Sequence, residues 1–70
     1  MIFYKKYGIS EPTINTLALG LGYSVANIEI FRDSGSCVER RVGWIRGRFK
    51  TREAAHRAAM AAAKQYIDRS

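Results

Sequence analysis

Seven basic residues, Arg40, Arg41, Arg46, Arg48, Lys50, Arg52 and Arg57, fall between Val38 and Arg57, opposed there only by Glu39 and Glu53. That interval carries +5 of the net charge of +6. Guanidinium groups take phosphate oxygens in paired, charge-assisted hydrogen bonds. One parity of the segment reads Val38, Arg40, Val42, Trp44, Arg46, Arg48, so a strand there sets the single tryptophan among arginines. An exposed indole in that setting can stack on a base or pack on a sugar, and a short sheet can enter a major groove. The candidate nucleic-acid-binding residues are Arg40, Arg41, Trp44, Arg46, Arg48 and Lys50. A second reading of the same pattern makes Trp44 a core residue, with arginine stems laid over it and their heads in water. Both stay open at the level of sequence.

Other chemistry is sparsely provided. There is one histidine and one cysteine, and the six carboxylates are scattered rather than paired for acid–base work. No phosphate-binding loop, zinc-ligand spacing or nucleophile elbow occurs. Gly20-Leu21-Gly22 lacks the third glycine and the following helix of a dinucleotide site. His56 reads as a boundary residue of a helix and Cys37 as a small strand residue. The expectation is a protein that is not an enzyme, with no catalytic residue, no metal and no small-molecule cofactor.

Seventy residues allow one domain, 1–70, whose core is modest for its surface. A lone Cys37 makes no internal disulfide, which suits a reducing cytoplasm. No run of about 18 apolar residues is present, so no membrane contact is expected. The opening MIFYKKYGIS puts its lysines after the apolar residues, unlike a signal peptide. Association with a second copy is the open route to extra stability.

The elements that must position the basic strand follow from periodicity. From Arg52 to about Asp68 an alanine-rich segment is helical, with Thr51 as N-cap and Glu53 near the positive end of the dipole. At about 3.6 residues per turn, Ala55, Ala58, Ala59, Ala62, Ala63 and Tyr66 share a face, flanked by Met60 and Ile67. Glu53, Arg57, Lys64 and Asp68 line the other, and Glu53–Arg57 has pairing distance. Phe49 is placed to plug the first turn.

Upstream, Ile2–Ile9 reads as an edge strand guarded by Lys5 and Lys6. Ser10-Glu11-Pro12-Thr13 is a turn signal, leaving the conformation of 10–21 undecided. Alternation from Leu17 to Val25 changes phase before Ile28 and Ile30, which implies a bulge near Asn27 or a strand covered on both faces. Asp33-Ser34-Gly35-Ser36 is a hairpin turn, and Gly43 marks a bend in the strand that follows. The expected fold is α+β: a three-stranded antiparallel sheet, strands about 2–9, 22–32 and 37–49, with one C-terminal helix, about 52–68, on one face. The other face then stays open, carrying some of Tyr23, Val25, Asn27, Glu29 and Phe31.

The junction Gly47-Arg48-Phe49-Lys50-Thr51-Arg52-Glu53-Ala54-Ala55, followed by alanines and Tyr66-Ile67-Asp68, resembles small uncharacterised proteobacterial proteins, some prophage-borne, of β-meander-plus-helix build. The resemblance extends loosely to Tyr7-Gly8 and Tyr23–Arg32. The junction alone is also similar to that of Apetala-type plant domains and phage integrase arm-binding domains, which implies a sheet that reads DNA with a helix behind it. The arginine- and tryptophan-bearing first strand of those domains has no counterpart around Ile2–Ile9. The shared residues are cap and packing residues, and they argue for fold.

Two functions follow as expectations. One is a nucleic-acid-binding accessory module using the basic third strand. The other is a non-catalytic protein-interaction or self-association module, a homodimer through the open face and Leu17–Tyr23.

Overall fold

The computed structural model describes residues 2–34 and 37–69, with side chains described for 2–32 and 43–69. The chain is α+β. An antiparallel sheet is built from β1 (Ile2–Tyr4), β2 (Tyr7–Ile9), β3 (Thr13–Thr16), β4 (Tyr23–Ser34) and β5 (Cys37–Phe49), and is followed by α1 (Arg52–Arg69). The long β4 organises it. β5 runs along one edge of β4, while β2 and β3 lie end to end on the other, pairing with its far and near halves. β1 flanks β2 as the outer strand.

The expected single strand over 2–9 is instead a tight hairpin. Tyr4 pairs with Tyr7 around a turn at Lys5 and Lys6, and Lys5 takes φ 54°. Neither lysine is a usual residue for such a turn, so the reversal has no local sequence signature. The undecided 10–21 contains β3 and a single 3-10 turn at Ala18–Gly20, not a helix after Pro12. Hence the described residues form five strands rather than three. Gly35 and Ser36, at the hairpin turn, lie outside the described residues.

The phase change in β4 is a bulge. Val25 pairs with Ile45 and Ile28 with Gly43, so three steps of β4 answer two of β5. The extra residue turns Ile28 and Ile30 to the side already chosen by Val25, and all three are buried. Val25 therefore belongs under the helix, not on the open face where simple alternation set it. Tyr23 also packs against that core. The bend expected at Gly43 lies nearer Gly47, where φ is 114° and β5 spends four steps against two of β4. At the mouth of β4, Gly22 has φ 103°, and a Cβ there would come 2.4 Å from the Phe49 carbonyl oxygen. Only glycine lets the two backbones approach so closely.

The helix starts as its sequence demands. Thr51 Oγ1 accepts the Ala54 N–H at 3.0 Å, and the Thr51 carbonyl accepts from Ala55 at 3.1 Å. Arg57 donates to Glu53 one turn back at 3.0 Å. The buried stripe is Ala55, Ala59, Met60, Ala63 and Ile67, with Ala58 and Ala62 half-buried. Tyr66, expected in the middle of that face, stands at its rim and is 44% exposed. Alanines contribute little area, so the apolar gain comes from Ile9, Val25, Ile28, Ile30, Met60 and Ile67, about 1.5–3 kcal/mol for each large side chain. Phe49 packs against the same cluster from below the cap. α1 lies chiefly over β4 and β5, and among the described residues no helix covers the opposite face.

Candidate functional site

Strand alternation assigns the opposite face. Ile9 and Ile30 are buried under the helix, so their neighbours Gly8 and Phe31, which pair with each other, point away from it. Phe3 pairs with Gly8 on its other side. A cross-strand row Phe3–Gly8–Phe31 results, with the glycine buried between positions bearing rings. Ile45 faces the core, which sends Trp44 and Arg46 to the open side. The exposed aromatics there are Phe3 at 77% and Trp44 at 62%, with Phe31 half-buried.

Trp44 is thus a surface residue, which removes its reading as core. The Arg46 guanidinium carbon lies 5.7 Å from the Trp44 ring centroid, in the range of a cation–π contact. Arg48 and Lys50 are exposed on the run into the helix. The widened turn of β5 at Gly47 presents Arg46 and Arg48 outward. Among the six residues singled out by sequence, Trp44, Arg46, Arg48 and Lys50 form a continuous surface segment. Arg40 and Arg41 have backbone pairs in Phe31 and Ile30, and their side chains lie outside the described residues.

Other cations of the basic interval are engaged in holding the fold. Arg52 lies 5.3 Å from the Tyr23 ring centroid and donates to the Ile14 carbonyl at 3.3 Å and Thr16 Oγ1 at 3.4 Å. It clamps the start of α1 to β3. Arg57 pairs with Glu53; outside that interval, Arg32 sits over Tyr7 and donates to its hydroxyl at 3.5 Å.

These features make a mixed aromatic and cationic face. His56 Nε2 approaches Glu11 Oε1 at 3.0 Å on the far side of the molecule. No group of three or more His, Cys, Asp or Glu side chains able to hold a metal occurs among the described residues. No helix among them is long and apolar enough to cross a membrane. The family match runs through this whole architecture, residues 1–70. The chain belongs to the DUF6566 family. That family is a domain of unknown function, and no curated protein and no solved structure matches the chain.

Two features of this DUF6566 chain escaped sequence reasoning. Phe3 reaches the open face only because the Lys5–Lys6 turn folds β1 back beside β2. The same turn delivers Lys5 to the helix end, where Lys5 Nζ meets Asp68 Oδ1 at 2.6 Å and the Tyr4 hydroxyl donates to it at 3.0 Å. The bonds from Lys5 and Tyr4 hold the Asp68 carboxyl below its usual range. The Asp68 carboxylate in turn raises Lys5 and Tyr4 above theirs. The reading of 2–9 as one edge strand hid both consequences.

Proposed function

We propose that this domain is a non-catalytic, cytoplasmic module that binds single-stranded nucleic acid on the open face of its sheet, without a small-molecule cofactor. The observation that carries the reading is Trp44, 62% exposed with Arg46 at 5.7 Å from its ring. Unpaired bases stack on aromatic side chains and guanidinium planes, whereas bases in a duplex are already stacked on each other. Trp44 and Phe31 supply the stacking surfaces, and Arg46, Arg48 and Lys50 supply phosphate contacts. Trp44 and Phe31 are about 14 Å apart along adjoining strands, a span of a few nucleotides. The basic balance of +6 draws a polyanion towards this face.

The test is an amide NMR titration with oligothymidylate, oligouridylate and a duplex, each about twelve units long, at two ionic strengths. Shifts on Trp44–Lys50 with the single strands, weakening as salt rises, support the reading. A preference for duplex would move it to groove insertion. No shift at the lower salt would end it.

A second reading draws on the β3–β4 connection, where Leu19 is 96% and Leu21 51% exposed. Two leucines on one loop favour self-association or a protein contact through Leu17–Tyr23 and the open face. Sedimentation that reveals a salt-insensitive dimer favours it.

A further inference from the structure

The edge of the sheet formed by β5 combines three features. First, β5 is 13 residues long and pairs only with β4, so along its outer side no strand partner occurs among the described residues. A long unpaired edge presents a row of free backbone donors and acceptors, which proteins usually cover or blunt. Second, a groove of about 180 Å³ lies between this edge and α1, walled by Ile28, Ile30, Trp44 and Ile45 on the sheet and Ala62, Ala63 and Tyr66 on the helix. A cavity of about 150 Å³ accepts a benzene ring. The groove exists because Gly43, on the helix side opposite Ile28, has no side chain. A Cβ built there meets nothing within 4 Å. Third, the exposed side chains of this strand that point the other way, Arg46 and Arg48, are cationic.

Lys64 and Asp68 turn towards Tyr4 on the β1 side, which leaves Ala62 and Tyr66 facing the β5 side, where the groove opens. An unpaired strand edge beside a helix, with an apolar slot between them, is the arrangement by which extended peptides add to a sheet.

We propose that the outer edge of β5 accepts an extended acidic peptide as an added strand. Its apolar side chains of one parity fill the slot between Gly43 and Tyr66. Its carboxylates of the other parity meet Arg46 and Arg48. The period-two side-chain pattern of any strand fits both requirements at once. Charge decides the occupant. A second copy would lay the same cationic strand against itself, and like charges on paired strands repel. A nucleic acid has no backbone amides with which to extend the open strand edge. The site shares Arg46 and Arg48 with the nucleic-acid reading, but it rests on the unpaired strand edge and the apolar slot, which that reading does not need.

The experiment uses the full chain and the peptide Ac-Glu-Val-Glu-Phe-Glu-Val-Glu-NH2, with a counterpart N-methylated at alternate amides. Expected are amide shifts at Gly43–Gly47, Ala62, Ala63 and Tyr66 with the plain peptide and their loss with the methylated one, which keeps the charge but cannot pair. Gly43→Val fills the slot at a position where a side chain has room and β-branching suits a strand. It should leave thermal stability equal or higher while weakening the peptide roughly tenfold or more. Ala62→Trp fills the slot from the helix side and should act alike. The proposal is overturned if both peptides bind equally, which is adsorption by charge alone. It is equally overturned if Gly43→Val and Ala62→Trp fold and bind as the wild type does, if no shifts occur, or if sedimentation finds the edge occupied by a second copy.

Discussion

Replacing Ala59 by leucine and, separately, Ala62 by leucine tests whether the helix lies flush on the sheet at one place and stands off it at another. The two substitutions are chemically identical and one turn apart. Ala59 is 0% exposed, between Ala55 at 0% and Ala63 at 2%, so three added carbons have no space without lifting α1 from β4. Overpacking of this kind costs about 1–3 kcal/mol. A 70-residue domain has a total stability of roughly 4–10 kcal/mol. With a urea slope near 1 kcal/mol/M, the midpoint should fall by about 1–3 M. Ala62 instead borders the groove of about 180 Å³. There the added carbons gain burial that offsets their lost rotamer freedom, and stability should stay within about 0.5 kcal/mol of wild type or rise. Urea unfolding followed by circular dichroism reads both. Equal losses at the two positions, or a larger loss at Ala62, would refute the packing described for the helix.

Thr51→Ala removes the acceptor for the Ala54 amide and should cost about 1 kcal/mol in the same assay, with Thr51→Ser near neutral. Gly22→Ala places a methyl against the Phe49 carbonyl at a positive φ, and a loss of about 2 kcal/mol or more is expected. Asp68 is held below its usual carboxylate range by Lys5 and Tyr4, so its contribution is present above that range and lost as pH falls through the depressed value. The midpoint difference between wild type and Asp68→Asn should therefore be larger at neutral pH than in acid, and a constant difference would contradict the Tyr4–Lys5–Asp68 tie. Lys5 and Tyr4 are raised, so their share persists at neutral pH and fades only as pH climbs through those raised values.

Elements whose signal is local were legible in the sequence. The helix, its threonine cap and the Glu53–Arg57 pair depend on residues within a few positions of each other, and each lies where periodicity put it. The phase change in β4 was legible too, as either a bulge or a strand covered on both faces, and the pairing of Val25 with Ile45 and Ile28 with Gly43 decides for the bulge. What failed depended on contacts distant in sequence. The Lys5–Lys6 reversal carries no glycine, asparagine or proline, and β1 gains its place from Tyr4 and Lys5 meeting Asp68 at the other end of the chain. The rotation that brings Met60 and Ile67 inward and leaves Tyr66 at the rim is set by the crossing of α1 over β4 and β5. Alanines on nearly every side of the helix hide that choice. Of the candidate interface, the run from Trp44 to Lys50 was visible as a charge pattern. Whether Trp44 faced water was not, because alternation names two faces without saying which one the helix covers.

Trp44 is the only tryptophan, so its fluorescence reports directly on the face proposed to bind nucleic acid. Titration of the protein with oligothymidylate should quench the emission. With phosphate contacts from Arg46, Arg48 and Lys50, affinity should fall roughly 20-fold between about 50 and 200 mM salt. An emission that stays constant through the low-salt titration would contradict it, as would quenching that Arg46→Glu leaves unchanged.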